Sequence, residues 1–275
     1  MNAMDILKRE TMNRFRVFDA FAVVILALFV ISLALIVLSA VSYLDGGEFA
    51  GIFRNPDLRF ALRLSLITST LSAFIAILAA VPASYVLSRF SFPGRAFVDS
   101  IVDVPIVLPP IVLGLCILVF FRTPFGRALE SAGLRFVYQP AGIVLAQFFT
   151  ITPYAVRTIK ASFDNLNPRI EDVARTLGYT RGQVFLRVTL PMIKNGVIAG
   201  GVIAWAVAIG LFGPMMVLVG TTRQRTEVLA TSIYLELSVG RVQSALAIAV
   251  LMIVIALITL TLFKKLSGRT VPYGN

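Results

Sequence analysis

Six apolar segments dominate this chain and restrict what it can fold into. They lie near residues 18–44, 60–88, 98–121, 139–162, 196–220 and 242–263. An α-helix rises about 1.5 Å per residue, so each segment is long enough to cross roughly 30 Å of bilayer hydrocarbon. Helices satisfy their backbone hydrogen bonds within one segment, as hydrocarbon requires. The sequence therefore predicts an all-α membrane protein with about six transmembrane helices.

The rest of the sequence predicts one membrane domain with short flanks. We expect an N-terminal segment at 1–17, a transmembrane domain at 18–263 that includes a hairpin at 164–195, and a tail at 264–275. Small residues at Ala40-Val41-Ser42 are typical of a signal-peptide cleavage site. The apolar core before them exceeds the roughly 7–15 residues of a signal peptide. We therefore expect the first segment to be retained.

Lys and Arg are distributed unevenly between the two sides of these segments. If both termini share a side, that side carries sixteen of these residues and the other side carries nine. Cytoplasmic loops are enriched in Lys and Arg. The count predicts that both termini and the 163–195 loop are cytoplasmic, with lipid around the apolar helices.

The residue types argue against several function classes. The chain has no histidine and one cysteine, Cys116, so it lacks the commonest general base and cannot form an internal disulfide. It contains no Gly-x-x-x-x-Gly-Lys-Ser/Thr phosphate loop. We expect no enzyme activity, no metal site and no cofactor in this chain. The net charge of +11 does not by itself predict nucleic-acid binding, because cytoplasmic loops retain basic residues.

A charged hairpin separates the fourth and fifth apolar segments. Asn167-Pro168 is typical of a helix start and Gly178 of a left-handed helix end. Thr180 and Gln183 predict a capping box for a second helix, which Pro191 is expected to bend or end. The first helix carries an apolar stripe with helical spacing: Ile170, Val173, Ala174 and Leu177.

Three interpretations of the hairpin are open from its residues. It is a solvated amphipathic loop, a helix-turn-helix that reads DNA, or a docking element for a cytoplasmic motor. The DNA-binding interpretation is disfavoured, because transmembrane segments begin within a few residues on both sides. They leave no third helix and no room to reach a groove.

The hairpin resembles the "EAA" loop of binding-protein-dependent ABC import permeases. The resemblance is carried by Glu171, Ala174, Gly178 and Leu190-Pro191 and extends over about residues 60–270. It implies a type I importer permease in a bacterial or archaeal plasma membrane. It also implies separate ATPase subunits that bind ATP and Mg²⁺, a second permease copy or related permease, and an extracytoplasmic solute-binding protein. The implied ATPase-docking residues are Glu171, Asp172, Ala174, Arg175, Leu177, Gly178, Tyr179 and Pro191.

Two stretches predict interruptions in the transmembrane helices. Pro105, Pro109 and Pro110 remove backbone donors within the third segment. This break is either a structural kink or part of a translocation route near the bilayer midplane. The fifth segment ends in a flexible, bulky stretch suited to a hydrophobic gate: Gly210, Leu211, Phe212, Gly213 and Pro214.

Two other segments carry small or hydroxyl residues at helical spacing. Ser65 and Ser69, with Thr68 and Ser72, form a stripe that either lines a path for an oxyanion or joins helices, and packing is favoured. The fifth segment has a small-residue seam that predicts close helix approach within the chain or across a dimer. Its residues are Gly196, Gly200, Ala204 and Ala208.

Asp99 and Asp103 share one face of the third segment near its cytoplasmic end. A carboxylate deep in hydrocarbon costs several kcal/mol unless it is paired or hydrated. We expect helix-end polarity and an ion pair with Arg89 or Arg95, rather than a proton relay.

Two stretches resemble the permeases for molybdate, tungstate and sulfate. They are Pro109-Pro110 followed by a glycine, and the 224–229 loop. The resemblance implies a tetrahedral oxyanion as the transported solute. The alternatives are another solute, such as a polyamine, iron or a phosphonate, and a membrane scaffold whose hairpin binds a partner without transport.

Overall fold

The computed structural model describes the backbone of residues 3–267 and the side chains of residues 18–261. The chain forms two units, 1–46 and 47–275. The first unit holds helix α1, Ala3–Ser42, whose stretch Phe18–Ser42 is apolar and long enough to cross a membrane. The predicted flanks 1–17 and 264–275 lie largely outside the described side chains.

The second unit is built from helices joined by short loops. A π-helix at Phe185–Thr189 joins α9 to α10. The helices are α2 (Gly46–Ile52), α3 (Pro56–Arg89), α4 (Arg95–Val107), α5 (Pro110–Arg122), α6 (Pro124–Ser131), α7 (Pro140–Asp164), α8 (Arg169–Thr176), α9 (Arg181–Val184), α10 (Leu190–Met192), α11 (Lys194–Gly210), α12 (Gly213–Leu218), α13 (Leu229–Ser238) and α14 (Val242–Ser267).

The all-helical expectation is confirmed over the described residues, and the count of six spans is approximate. Three described helices, in α1, α3 and α14, are long and apolar enough to cross a membrane. The number rises to five if each of two bent helix pairs forms one span. The predicted segment 139–162 corresponds to α7, which carries Gln147, Arg157 and Lys160 and lies outside that set.

Helices α3, α7 and α11 pack together and form the larger hydrophobic core of the second unit. Gly200 on α11 lies so close to α7 that a Cβ there would stand 2.9 Å from Ile159 Cγ1. Ala204 and Ala208 are fully buried on the same helix. The predicted small-residue seam is therefore confirmed as a contact within the chain, since small side chains let two helix backbones approach.

The serine stripe of α3 is buried between helices. Ser72 Oγ donates to Gln147 Oε1 over 2.8 Å, and Gln147 Nε2 donates to Ser69 Oγ over 3.2 Å and to the Ala208 carbonyl over 3.0 Å. Ser65 Oγ accepts from the Leu229 amide over 2.8 Å. These hydroxyls satisfy buried polar groups of neighbouring helices, which is the packing role. A pathway role for Ser65 and Ser69 stays a prediction.

Candidate functional site

The predicted hairpin forms through local hydrogen bonds. Asn167 Oδ1 accepts from the Arg169 amide over 3.0 Å at the start of α8. Gly178 ends the helix with φ +92°, the left-handed conformation that glycine adopts without a Cβ clash. Thr180 and Gln183 form the predicted capping box before α9. The short-range signals in the sequence therefore located the hairpin and its turn correctly.

The second helix ends and bends next to Pro191, as expected. The π-helix runs directly into α10, which holds Pro191 and ends at Met192. The chain then bends by 71° between Arg181–Met192 and Lys194–Gly210.

One face of α8 is fastened to the end of α3 by a buried ion pair. Glu171 Oε1 lies 2.9 Å from Arg89 Nε, and both side chains are about nine-tenths buried. Arg89 Nη2 also donates to the Leu166 carbonyl over 2.9 Å, and the Tyr85 hydroxyl reaches Glu171 Oε2 over 3.4 Å. A buried carboxylate requires such partners. Glu171 therefore anchors the hairpin to the membrane helices.

The other face of α8 is exposed and partly apolar. Leu177 is 75% exposed, and Val173 and Tyr179 are exposed as well. The expected single apolar stripe is thus wrong, because Ala174 is buried with Glu171 while Val173 and Leu177 point away from the chain. Helix α8 therefore buries Glu171 against α3, while Val173 and Leu177 at its end are exposed.

The predicted docking residues differ in burial. Glu171 and Ala174 are buried, and the other six are exposed: Asp172, Arg175, Leu177, Gly178, Tyr179 and Pro191. Two exposed apolar residues of the hairpin were not among the predicted docking residues: Leu186 on the π-helix, and Val173. Val173 lies four residues before Leu177, a spacing that places both on one helix face and could have indicated it.

A polar cavity of about 340 Å³ lies between the hairpin and the end of α3. Arg89, Arg175 and Arg181 line it together with Glu171 and Asp172. Arg175 lies 4.0 Å from Asp172, both largely solvated. The charged groups make the inner side of the hairpin polar, in contrast to its exposed apolar side.

The proline-rich third segment is broken where two of its three prolines stand. Helices α4 and α5 meet at 111°, with Leu108 and Pro109 in extended backbone between them. Pro110 begins α5, whereas Pro105 remains inside α4. The predicted break is confirmed at Pro109 and Pro110, and Pro105 does not interrupt its helix.

The fifth segment is interrupted at the predicted position. Helix α11 ends at Gly210 and α12 begins at Gly213. Leu211 is buried in the second hydrophobic core, beside Ile117 and Met215. Phe212 remains partly exposed, with its ring centroid 5.7 Å from that of Tyr234.

The fold brings these two interruptions together. A Cβ on Gly114 would stand 2.6 Å from Pro214 Cα, and one on Gly213 would stand 3.1 Å from the Ile111 amide nitrogen. At Gly114 only glycine allows the two backbones to approach so closely, and at Gly213 a larger residue requires the neighbouring backbone to shift by a few tenths of an ångström. The start of α5 and the start of α12 therefore form one contact, from stretches about 100 residues apart. Their role as a translocation path or gate stays a prediction.

The predicted ion-pair partners of Asp99 and Asp103 are wrong. Both carboxylates pair with Arg157 on α7, with Arg157 Nη1 3.1 Å from Asp99 Oδ1 and the same guanidinium bonded to Asp103. Arg89 is instead committed to Glu171. Arg157 lies far along the chain from both carboxylates, so no local spacing indicated it.

The end of α3 away from the hairpin has its own charged network. Arg223 Nη1 lies 3.1 Å from Asp57 Oδ2, and Arg223 Nη2 lies 2.8 Å from the buried Glu236 Oε1. Glu227 is fully buried and accepts from the Ser232 hydroxyl over 2.8 Å. Burial raises the pKa of the Glu227 carboxyl above its ordinary value. One arginine thus joins α3, α13 and the loop between α12 and α13.

Comparison with known proteins places this architecture in one family. A family model described as binding-protein-dependent transport system inner membrane component matches residues 72–271, which is more than half of the chain. The matched region contains both the hairpin and the two meeting breaks.

Three curated relatives match over most of their length. The sulfate transport system permease protein CysT of Salmonella typhimurium is 29% identical over 88% of this chain and 90% of its own. The molybdenum transport system permease protein ModB of Mycobacterium tuberculosis is 34% identical over 77% and 81%. The molybdate/tungstate transport system permease protein WtpB of Thermococcus kodakarensis is 35% identical over 73% and 76%.

Solved structures share the fold at lower identity. A chain of a bacterial alginate ABC transporter, in complex with an alginate pentasaccharide-bound periplasmic protein, matches with TM-score 0.74 and 20% identity over all of both chains. A chain of the MetNI methionine ABC transporter, in an inward-facing conformation, matches with TM-score 0.61 and 16% identity over 77% and 95%. At these identities the likeness concerns the fold alone.

Proposed function

The chain belongs to the family of binding-protein-dependent transport system inner membrane components, and we propose that it is the permease subunit of an ATP-driven importer for a tetrahedral oxyanion. Sulfate, molybdate and tungstate are the candidate solutes. The hairpin and both termini face the cytoplasm in this proposal. Separate ATPase subunits bind ATP and Mg²⁺, and a solute-binding protein delivers the oxyanion at the opposite face.

One observation supports the proposed contact with the ATPase: apolar side chains are exposed on a hairpin that an ion pair attaches to α3. Val173, Leu177 and Tyr179 are exposed within seven residues of a charged segment, and apolar side chains exposed together among polar groups are typical of a protein contact. The buried Arg89–Glu171 pair ties the same helix to α3. A partner bound to the outer face of α8 can therefore transmit its movement to α3, as rigid-body switching between two packed states requires.

The solute class is supported by the relatives. Three of them are named for sulfate, molybdenum, and molybdate or tungstate transport. Sulfate, molybdate and tungstate share a tetrahedral shape and two negative charges, so one type of path suits all three. Two permease chains enclose that path in this proposal, with the Gly114–Pro214 contact beside it. ATP-driven closure of the ATPase subunits shifts the population between inward and outward access.

Copurification tests the ATPase contact. Leu177→Asp places a charge on the exposed apolar face, and we expect it to abolish recovery of the ATPase with the membrane-inserted chain. Leu134→Asp is the matched control, because Leu134 is also exposed but lies between α6 and α7. Normal ATPase recovery with Leu177→Asp would contradict the docking role of this face.

Reconstitution tests transport and solute class together. The chain is incorporated into liposomes with its ATPase and its cognate binding protein, and ATP hydrolysis and uptake are measured with each solute. We expect sulfate, molybdate or tungstate to stimulate both, and a polyamine, iron or a phosphonate to stimulate neither. Stimulation by one of the latter would overturn the oxyanion proposal. Binding of the ATPase without uptake of any solute would favour the scaffold.

A further inference from the structure

Helix α4 makes few contacts with the rest of this chain. None of its residues is buried, and α7 is the helix against which it packs. Beyond Val107 the chain turns by 111° into α5. Pro109 and Pro110 cannot donate backbone hydrogen bonds across that turn. Helix α4 is thus joined to α5 through a bend at Leu108 and Pro109.

A single arginine on α7, Arg157, forms the side-chain ion pairs that hold α4 against α7. Arg157 of α7 donates to both carboxylate oxygens of Asp103, lies 3.1 Å from Asp99 Oδ1, and donates to the Asp99 carbonyl over 3.2 Å. Among the described residues, no other side-chain hydrogen bond or ion pair joins α4 to another helix. A guanidinium fork that meets two carboxylates fixes orientation as well as distance.

The position of Arg157 connects the hairpin with the meeting breaks. It lies two helical turns before α7 ends at Asp164, and α8 begins at Arg169. On the other side, α4 leads through the bend into α5, whose start touches Gly213 and Pro214. A displacement of the hairpin reaches α7 directly and reaches α4 through this arginine.

We infer that Arg157 is a positioning residue that makes α4 move with α7, so that motion of the hairpin is passed to the Gly114–Pro214 contact. The inference deepens the proposed function and rests on it. All three side chains are about one-third free of contact with the rest of the chain, so removing the Arg157 guanidinium leaves neither carboxylate enclosed in a packed core. Variants at Arg157 are expected to fold.

A distance measurement tests the attachment directly in the full chain in lipid nanodiscs. Spin labels are placed at Phe97→Cys on α4 and Phe149→Cys on α7, both exposed positions, with Cys116→Ala removing the natural cysteine. We expect one narrow distance distribution in this parent and a broadened or two-component distribution after Arg157→Met. Lys160→Met is the matched control, because Lys160 pairs with Asp164 within α7 itself. An unchanged distribution in Arg157→Met overturns the inference.

A coupling measurement separates positioning from a merely structural role. In the reconstituted importer, we expect Arg157→Met to lower uptake by at least about 5-fold, the lower range of an allosteric coupling, while binding-protein-stimulated ATP hydrolysis is retained. Lys160→Met should leave both unchanged, and the charge swap Arg157→Asp with Asp103→Arg should restore part of the uptake. Parallel loss of both activities in Arg157→Met, or loss of neither, overturns the inference. If the parent itself transports no oxyanion, the proposed function fails, while the spin-label result still decides the attachment of α4.

Discussion

The two ends of α3 are both held by an arginine and a buried carboxylate, but the arrangements differ. At the hairpin end, Arg89 pairs with one carboxylate, that of Glu171 on α8. The outer face of α8 remains exposed and partly apolar. At the opposite end, Arg223 is shared by Asp57 and Glu236 and joins three elements to each other. The hairpin end leaves apolar side chains exposed beside its ion pair, whereas at the opposite end one arginine links carboxylates of two elements. Removing each arginine tests this difference.

The largest effect is expected from Arg89→Met. It leaves Glu171 buried without a cation, and breaking a buried pair in this way costs about 3–5 kcal/mol. We expect a large fall in thermal stability in detergent and loss of ATPase copurification. The double variant Arg89→Met with Glu171→Gln should recover much of the stability, because no unpaired charge remains. Equal stability of the single and double variants would refute the role of the pair.

Arg223→Met should have a smaller effect. Glu236 keeps Arg241, whose Nη1 lies 3.6 Å from Glu236 Oε2, and Asp57 keeps a bond from Gln224 Nε2 of 2.6 Å. A lost hydrogen bond to a charged group costs about 1.5–3 kcal/mol. We expect a moderate fall in thermal stability with ATPase copurification preserved. A loss of ATPase binding here as large as in Arg89→Met would erase the distinction between the two ends.

Gly178→Val should act on the hairpin alone. A left-handed backbone costs an L-residue roughly 1–2 kcal/mol, and the φ of +92° requires that conformation. We expect ATPase association to weaken about 5–30-fold, the factor that corresponds to one or two kcal/mol. Gly178→Asn is the control, because asparagine tolerates this region. Since no atom lies within 4 Å of a Cβ at Gly178, equal weakening by both variants would point to a clash with the partner instead.

Glu227→Gln should have the smallest effect and should depend on pH. Burial raises the Glu227 pKa, with Arg223 opposing the shift and Asp57 and Glu236 adding to it. A raised pKa gives stability that is complete below the unfolded pKa and is lost as the pH rises through the folded pKa. The glutamine variant should therefore match the parent in stability below the unfolded pKa of a glutamate and exceed it once the pH has risen through the folded pKa of Glu227, as measured by thermal unfolding. A difference that does not change with pH would contradict the buried-carboxylate explanation.

Local chemistry was enough to predict the hairpin turn. Glycine at position 178 and the Thr180–Gln183 capping box act over a few residues, so their positions can be read without knowledge of the fold. The same holds for the break at Pro109 and Pro110, because a missing backbone donor acts on its own helix. The apolar stripe of α8 was misread, because spacing defines a face but does not say whether that face is buried.

The partners of the charged residues could not be predicted in the same way. Glu171 pairs with Arg89 and Asp103 pairs with Arg157, across large separations in the chain. Each carboxylate had a nearer basic residue in sequence, and the expected pairs Asp99 or Asp103 with Arg89 or Arg95 followed that proximity. Packing of α7 between α3 and α4 decided otherwise.

The amino-acid sequence by itself determined the helical class, the positions of the hairpin and the breaks, and the resemblance to importer permeases. Hydrocarbon length, backbone hydrogen bonding and glycine or proline geometry are properties of short stretches. Tertiary structure alone decided that Glu171 faces inward while Leu177 faces out, that Arg157 holds α4, and that Gly114 meets Pro214. Those outcomes depend on which helices pack side by side, and long-range packing is set by the whole chain.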